Sequence, residues 1–207
     1  LSVNFQENGS LDAIAASLES VGIHAVWVDP TRVLVTDDTH GRAQPHLEAT
    51  TTCLRDVVLP ILAMNNVAVI GGYVGATTDG VTTTLGRGGS DYSAAVFGAA
   101  LGADEIQIWT DVDGMLTADP RIVDGARLVP TLSFAEASEL AYFGAKVLHP
   151  ETIQPVVGLD IPVRIANARR PDGTGTTITS VPSSRSGPVT ALASKRGVTV
   201  IEFTSVR

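Results

Sequence analysis

A chain of 207 residues, 44% of them hydrophobic and 17% charged, is long enough to bury one sizeable core. Its formal net charge of −8, with no cluster of lysine and arginine, argues against a nucleic-acid partner, and no apolar run approaches the roughly 20 residues of a membrane span. The single cysteine, Cys53, excludes an intrachain disulfide and fits a reducing, cytoplasmic compartment; its neighbours Leu54, Val57 and Val58 make it a buried small hydrophobe rather than a nucleophile.

Ser10 is placed to cap a first helix, with Leu11, Ile14, Ala15, Leu18 and Val21 at helical spacing and Gly22 at its end. Ile23–Val28 and Val33–Val35 read as short apolar strands, with Asp37–Gly41 a polar loop. A helix is predicted from about Pro45, carrying Leu47, Leu54, Val57, Val58 and Ile61 on one face, and Pro60 should break or restart it. Val67–Ile70 is a buried strand running into Gly71-Gly72, and Asp79-Gly80 between threonine-rich flanks predicts a hairpin.

The hairpin leads into Leu85–Ala95, the most informative stretch of the chain. Its glycines let backbone approach a ligand closely, Ser90 and Asp91 are favoured helix N-cap residues, and Tyr92–Leu101 is apolar on nearly every side, as a buried helix should be. A glycine-rich loop with Arg87, feeding a helix N-terminus, has the geometry of an anion site; a tight turn is the plain alternative. Gly102 ends the helix and Glu105–Trp109 forms the next strand, so the unit is βαβ and the sheet should be largely parallel. Ligands of such sheets sit beyond the carboxyl ends of the strands, where the Gly71 loop and the Thr110–Gly114 loop both lie. Ser133 and Glu136 make a capping box for a helix bearing Phe134, Ala137, Leu140 and Ala141. Gly144–Pro150, a short helix to Gly158, a strand at Ile161–Ile165 and a small one near Thr176–Ile178 follow. Residues 180–188 read as a linker, and Val189–Ala193 and Val198–Phe203 as strands with too little chain for a core of their own.

The four histidines share no ligand spacing, so no metal site is expected. Asp111-Val112-Asp113-Gly114 lacks the further acids of a calcium loop, and no Gly-x-Ser-x-Gly elbow is present. Anion handling remains. Arg87 with the Gly88 and Gly89 amides can hold a carboxylate or phosphate, and Asp91 can orient a lysine or a magnesium ion. Thr110 and Asp111 can bond a nucleotide's sugar or base, and Arg121 and Lys146 can neutralise phosphates. Taken singly, Arg121 fits a surface ion pair better than a ligand role and Asp91 fits a cap equally well, while Lys146, between Gly144 and an apolar run, is unexpected for a merely solvated lysine.

Together these motifs resemble the amino-acid kinase family and, within it, the aspartate kinases. Thr110–Gly114 followed by Thr117–Arg121 looks like the family's nucleotide segment, which taken alone leaves glutamate 5-kinase or uridylate kinase open; Leu85–Tyr92 and Phe143–Pro150 are narrower and look like aspartate kinase. Phe5-Gln6-Glu7 resembles a Phe-Gly-Glu element that offers its glutamate to the substrate's amino group, with Gln6 in place of the glycine. The resemblance runs from about residue 3 to 179, and the tail, with Lys195–Val198, resembles the opening of a regulatory ACT domain.

The resemblance implies a three-layer αβα sandwich with a mainly parallel sheet. Residues 1–179 would be the C-terminal portion of the catalytic domain, 180–188 the linker and 189–207 the start of the ACT-like domain. It implies phosphorylation of the L-aspartate side-chain carboxylate by ATP, with Mg2+ carried by the nucleotide, as the first step toward lysine, threonine and methionine. Glu7, Arg87, Gly88, Gly89 and Ser90 would bind aspartate. Thr110, Asp111, Leu116, Arg121 and Lys146 would line the ATP site, and Asp91 and Lys146 would serve catalysis. A homo-oligomer and an amino-acid effector at the ACT segment are further expectations. Relatives open with a strand and a Lys-Phe-Gly-Gly loop, and neither Lys146 nor Lys195 lies in one; the expectation is therefore that the natural protein extends upstream of Leu1 and that this stretch alone does not catalyse. A kinase for another substrate, such as glutamate, and a non-catalytic sensing module are the competing readings.

Overall fold

The computed structural model describes residues 11–143, 150–181, 189–194 and 197. Helix α1 (Leu11–Ser20) leads through a turn, with Gly22 at φ +82°, into strand β1 (Ala25–Val28). Helix α2 (Leu47–Ala63) carries the chain over to β2 (Val67–Ile70), which pairs parallel with β1, Ala25 opposite Val67 and Val28 opposite Ile70. Pro60 does not break α2. It is exposed near the end of the helix, where it forgoes only the bond its nitrogen would make to the Asp56 carbonyl. Cys53 is half-buried on this helix rather than fully enclosed.

The expected strand at Val33–Val35 does not form. Asp29 caps a 3-10 turn over Pro30–Arg32, and Val33 and Leu34 then enter the core fully buried with no ladder beside them. Helix α2 supplies what a ladder would: the Thr50 hydroxyl accepts from the Val35 amide and donates to the Val35 carbonyl, both at 3.1 Å. Burial and backbone satisfaction, which usually accompany a strand, are here met by a side chain and two isolated bridges, Val35 to Ala76 and Thr36 to Pro45.

Strands β3 (Val74–Ala76) and β4 (Thr82–Thr84) form the predicted hairpin. The Gly80 amide donates to the Thr77 carbonyl, the Thr77 amide donates to the Val81 carbonyl, and Gly80 sits at φ +81°, the signature of a three-residue loop closed by a bulge glycine. Helix α3 (Gly89–Leu101) follows and is buried on nearly every side. It ends at Gly102 (φ +65°), with the Ala103 amide returning to the Gly98 carbonyl.

The remaining strands are β5 (Ile106–Thr110), β6 (Thr131–Ser133), β7 (Val163–Asn167) and β8 (Thr176–Thr179), in the order β5-β7-β8-β6. β7 lies parallel to β5 and antiparallel to β8, which is parallel to β6. Helix α4 (Phe134–Phe143) starts from the predicted capping box: the Ser133 amide and hydroxyl both donate to Glu136 Oε2, and the Glu136 amide donates to Ser133 Oγ. A 3-10 turn (Pro150–Ile153) and a short helix α5 (Gln154–Val157) complete the layer against α3.

The α/β class with parallel pairing holds, but the described strands fall into three sheets rather than one. Among the described residues the outer edges of β2 and β5 carry no neighbour, and both border one apolar cleft of about 340 Å³ floored by Ala94, Phe97 and Leu101 of α3. One core lies beneath β5, β7 and β8, the other between α2, α3 and β1. Val189–Ala193, expected as a strand, joins no ladder. Instead the Leu192 amide donates to the Thr117 carbonyl, Thr190 Oγ1 donates to Glu136 Oε1, and Ala191 packs on the first core. Val198–Phe203 and the Ser10 cap lie outside the described residues. No described helix is long and apolar enough to cross a membrane.

Two stability predictions follow from these elements. Pro60→Ala should restore a helical hydrogen bond and raise the urea midpoint, by up to about 3 kcal/mol of stability; an unchanged or lower midpoint would mean the ring is better accommodated than its position implies. The hydroxyl and then the amide of Thr31 hold the Asp29 carboxyl below its ordinary pKa. A depressed folded pKa gives stability that is complete above the unfolded value of about 3.9 and lost as pH falls through the folded one. Asp29→Asn should therefore show a smaller drop in urea midpoint between pH 7 and pH 3 than the parent.

Candidate functional site

The loop before α3 is built by glycines that cannot be exchanged. Gly86 lies at φ +85° with a Cβ position 2.7 Å from the Gly41 carbonyl oxygen, and Gly88 lies at φ +72°. A Cβ on Gly89 would stand 2.8 Å from Tyr73 Cδ2 and 3.0 Å from Leu85 Cβ. The helix is capped by Gly88 in the left-handed conformation, not by Ser90 or Asp91, which fall inside the first turn. The reason is steric: the turn needs a positive φ that glycine adopts without cost. With no capping side chain, the Ser90 amide has no partner among the described residues and points its N–H out of the helix start. The Gly89 amide is engaged by the Gly86 carbonyl at 3.1 Å, so Gly89 contributes closeness rather than a donor, and Gly88 and Ser90 are the open amides. Arg87 is exposed beside them and makes no hydrogen bond or ion pair with the described residues. Asp91 is half-buried on the same turn.

The β2 end is tied to this helix start. The Tyr73 amide donates to Ser93 Oγ at 2.9 Å, and that hydroxyl donates to the Gly89 carbonyl at 2.6 Å. Tyr73 is held at φ +73°, uncommon for a residue with a side chain, and Gly72 lies against Ser90, whose Cα would be 3.0 Å from a Cβ there.

The second half of the candidate site follows β5. The far end of α3 abuts the start of this strand, where a Cβ on Gly98 would stand 2.6 Å from Ile106 Cδ1. β5 thus runs back along α3 and delivers Thr110 and Asp111 toward the same side as the Arg87 loop. Thr110 is half-buried, its hydroxyl donating to Asp111 Oδ1 at 3.3 Å, and Asp111 is exposed. Leu116 is half-buried and bridges to Leu128. Arg121 is in a two-point ion pair with Asp119, Nε to Oδ1 at 3.0 Å and Nη2 to Oδ2 at 2.7 Å. These bonds and the neighbouring negative charge push its pKa further up, while the side chain stays largely exposed to solvent. Glu7 and Lys146 lie outside the described residues.

Three residues that the sequence did not single out hold this loop. Asn167, at the end of β7 opposite Thr110, donates from Nδ2 to Asp113 Oδ1 at 2.7 Å, and Arg170 Nη2 donates to Asp113 Oδ2. Thr176 Oγ1 accepts from the Met115 amide at 2.8 Å and donates to the Val129 carbonyl. Asn167 stands 54 positions from Asp113, so the pairing has no local signature. The only hint is the turn-rich run Asn167–Gly175 directly after a strand.

Residues 3–167 match the Amino acid kinase family, and the chain belongs to that family. It is 41% identical over 185 residues to lysine-sensitive aspartokinase 3 of Escherichia coli, covering 89% of this chain and 40% of that one. It is 42% identical over 208 residues to chloroplastic aspartokinase 2 of Arabidopsis thaliana, covering 99% of this chain and 38% of that one. The crystal structure of E. coli aspartokinase III in complex with aspartate and ADP superposes with a TM-score of 0.76 at 41% identity, over 82% of this chain and 38% of the other. The chain thus spans about two fifths of the length of the aspartokinases it matches.

Gly114 tests how firmly the β5 loop is set. It lies at φ +136°, and a Cβ there would be 2.5 Å from Thr176 Oγ1. Gly114→Ala should cost about 1–3 kcal/mol in urea unfolding, whereas Gly158→Ala, at φ −71° with nothing within 4 Å, should be neutral or slightly stabilising. Equal effects at the two positions would show that the loop yields freely.

Proposed function

We propose that the chain is a portion of an aspartate kinase, contributing the aspartate-facing loop and much of the nucleotide site to transfer of the ATP γ-phosphoryl group onto the L-aspartate side-chain carboxylate. The observation that carries this reading is the pairing of an open amide turn and Arg87, which has no partner among the described residues, at the start of α3 with the Thr110–Arg121 loop at the end of β5. The kinship with aspartokinases supports the choice of substrate.

The chemistry is an in-line displacement: a carboxylate oxygen forms a bond to the γ-phosphorus while the bond to the bridging oxygen of ADP breaks, leaving 4-phospho-L-aspartate and ADP. Little covalent help is needed, and positioning with charge neutralisation supplies most of the acceleration. Arg87 would grip a substrate carboxylate bidentately, with the Gly88 and Ser90 amides beside it and Gly89 giving room for close approach. Glu7 would take the amino group, and Asp91 would organise the cationic groups around the moving phosphoryl. Thr110, Asp111 and Leu116 would line the nucleotide, with Arg121 and Lys146 near its phosphates. Magnesium would arrive on the ATP phosphates as part of the substrate.

On this reading the product enters lysine, threonine and methionine synthesis, and the protein is a cytoplasmic homo-oligomer. The segment from Val189 begins a regulatory ACT-like domain that takes an amino-acid effector, in keeping with the lysine sensitivity named for the bacterial relative.

Calorimetric titration tests the assignment of the two halves. Arg87→Ala should weaken L-aspartate binding about ten- to a hundredfold, the effect of losing a charged hydrogen-bond partner, and leave MgADP binding unchanged. Stronger binding of L-glutamate than L-aspartate, or an aspartate affinity indifferent to Arg87, would overturn the assignment.

A further inference from the structure

The loop from Asp111 to Leu116 is pinned at three successive residues, Asp113, Gly114 and Met115. Asp113 is held from the end of the neighbouring strand by Asn167 Nδ2 at 2.7 Å and by Arg170. Gly114 takes a φ of +136° that excludes a side chain. The Met115 amide is bound by Thr176, itself fully buried. Asn167 is only 9% exposed, and its other amide atom, Oδ1, accepts from the Arg169 amide at 2.9 Å, so the side chain cannot turn over without losing both bonds. The Ala168 amide donates to the Thr110 carbonyl, so β7 fixes Thr110 by its backbone and Asp113 by a side chain. Beside them Asn167, Arg170 and the Gly173–Gly175 turn border a cavity of about 190 Å³. Gly175 closes that turn at φ +68°, where any Cβ would fall 2.3 Å from the Ile165 carbonyl oxygen.

We propose that Asn167 is a positioning residue for nucleotide binding: through Asp113 it fixes the backbone path of Asp111–Leu116, so that Thr110, Asp111 and Leu116 meet the nucleotide in one preset conformation. This rests on the nucleotide reading given above. The Asp113 carboxylate is thereby engaged by Asn167 through one oxygen and by Arg170 through the other. Preorganisation of this kind raises affinity by removing the ordering cost of the loop at the moment of binding.

The test uses the whole chain, with MgADP and L-aspartate as separate titrants and circular dichroism as the check on folding. Asn167→Asp places a like charge against Asp113, and Asp113→Ala removes the acceptor at a partly exposed position. Both should weaken MgADP binding tenfold or more and leave L-aspartate affinity unchanged. The exchanged pair Asp113→Asn with Asn167→Asp restores a donor opposite an acceptor and should bring MgADP affinity back to within about threefold of the parent, a rescue that loss of general stability would not give. If folded Asp113→Ala binds MgADP like the parent, or if the exchanged pair fails to recover, the positioning role is wrong while the nucleotide site stands. If the unsubstituted chain binds no MgADP, the nucleotide reading falls and this inference with it.

Discussion

Close packing around α3 is the constraint on which the rest of the structure depends. The helix is shared between both cores: Ala94 and Ala95 belong to one, Val96, Phe97 and Ala100 to the other. Only small side chains allow such approach from several sides, and at Gly98 even a methyl group would collide with Ile106. A helix that must be enclosed cannot choose its end residues freely. Its start is forced against Tyr73 and Leu85, which requires glycine at position 89 and a left-handed residue at 88. The open amides of the candidate anion turn are thus a by-product of how the core is packed, and their rigidity comes from that packing.

Much of this could be read from the chain because the signals were local. The capping box at Ser133 and Glu136, the Asp79-Gly80 turn and the Gly102 stop each depend on a few neighbouring residues, and each forms as expected. The misread elements are those where tertiary contact outweighs local preference. Val33 and Leu34 look like a strand because they are apolar, yet Thr50 from another element satisfies the adjoining backbone. Ser90 and Asp91 are better caps than glycine by propensity, but the steric demand at Gly88 decides. β6 is three residues long and exists because β8 lies beside it, which no periodicity over three residues can announce.

The candidate site divides in the same way. The residues named from the sequence lie in runs where several unusual residues stand together, as in Leu85–Asp91 and Thr110–Arg121. Asn167, Arg170 and Thr176 act on those runs from more than 45 positions away, through bonds that exist only once β5, β7 and β8 are aligned. A motif reveals the groups that touch a ligand; the groups that hold them still are set by sheet order.

Charge bears on the same point. A chain with a net charge of −8 is an unpromising host for anions unless its acids are occupied elsewhere. Several of them are occupied locally: Asp113 by Asn167 and Arg170, Asp119 by Arg121, Glu136 by Ser133 and Thr190, Asp29 by Thr31. Asp37 belongs with them, its carboxyl lowered in pKa first by the Gln44 amide and then by that of Thr39. Carboxylates bound in this way are fixed in direction. With screening over roughly 8–10 Å at physiological salt, it is the immediate surroundings that decide whether an anion is accepted. At the start of α3 those surroundings include open backbone amides and Arg87, which has no partner among the described residues, so the negative charge of the whole molecule does not conflict with the anion turn proposed there.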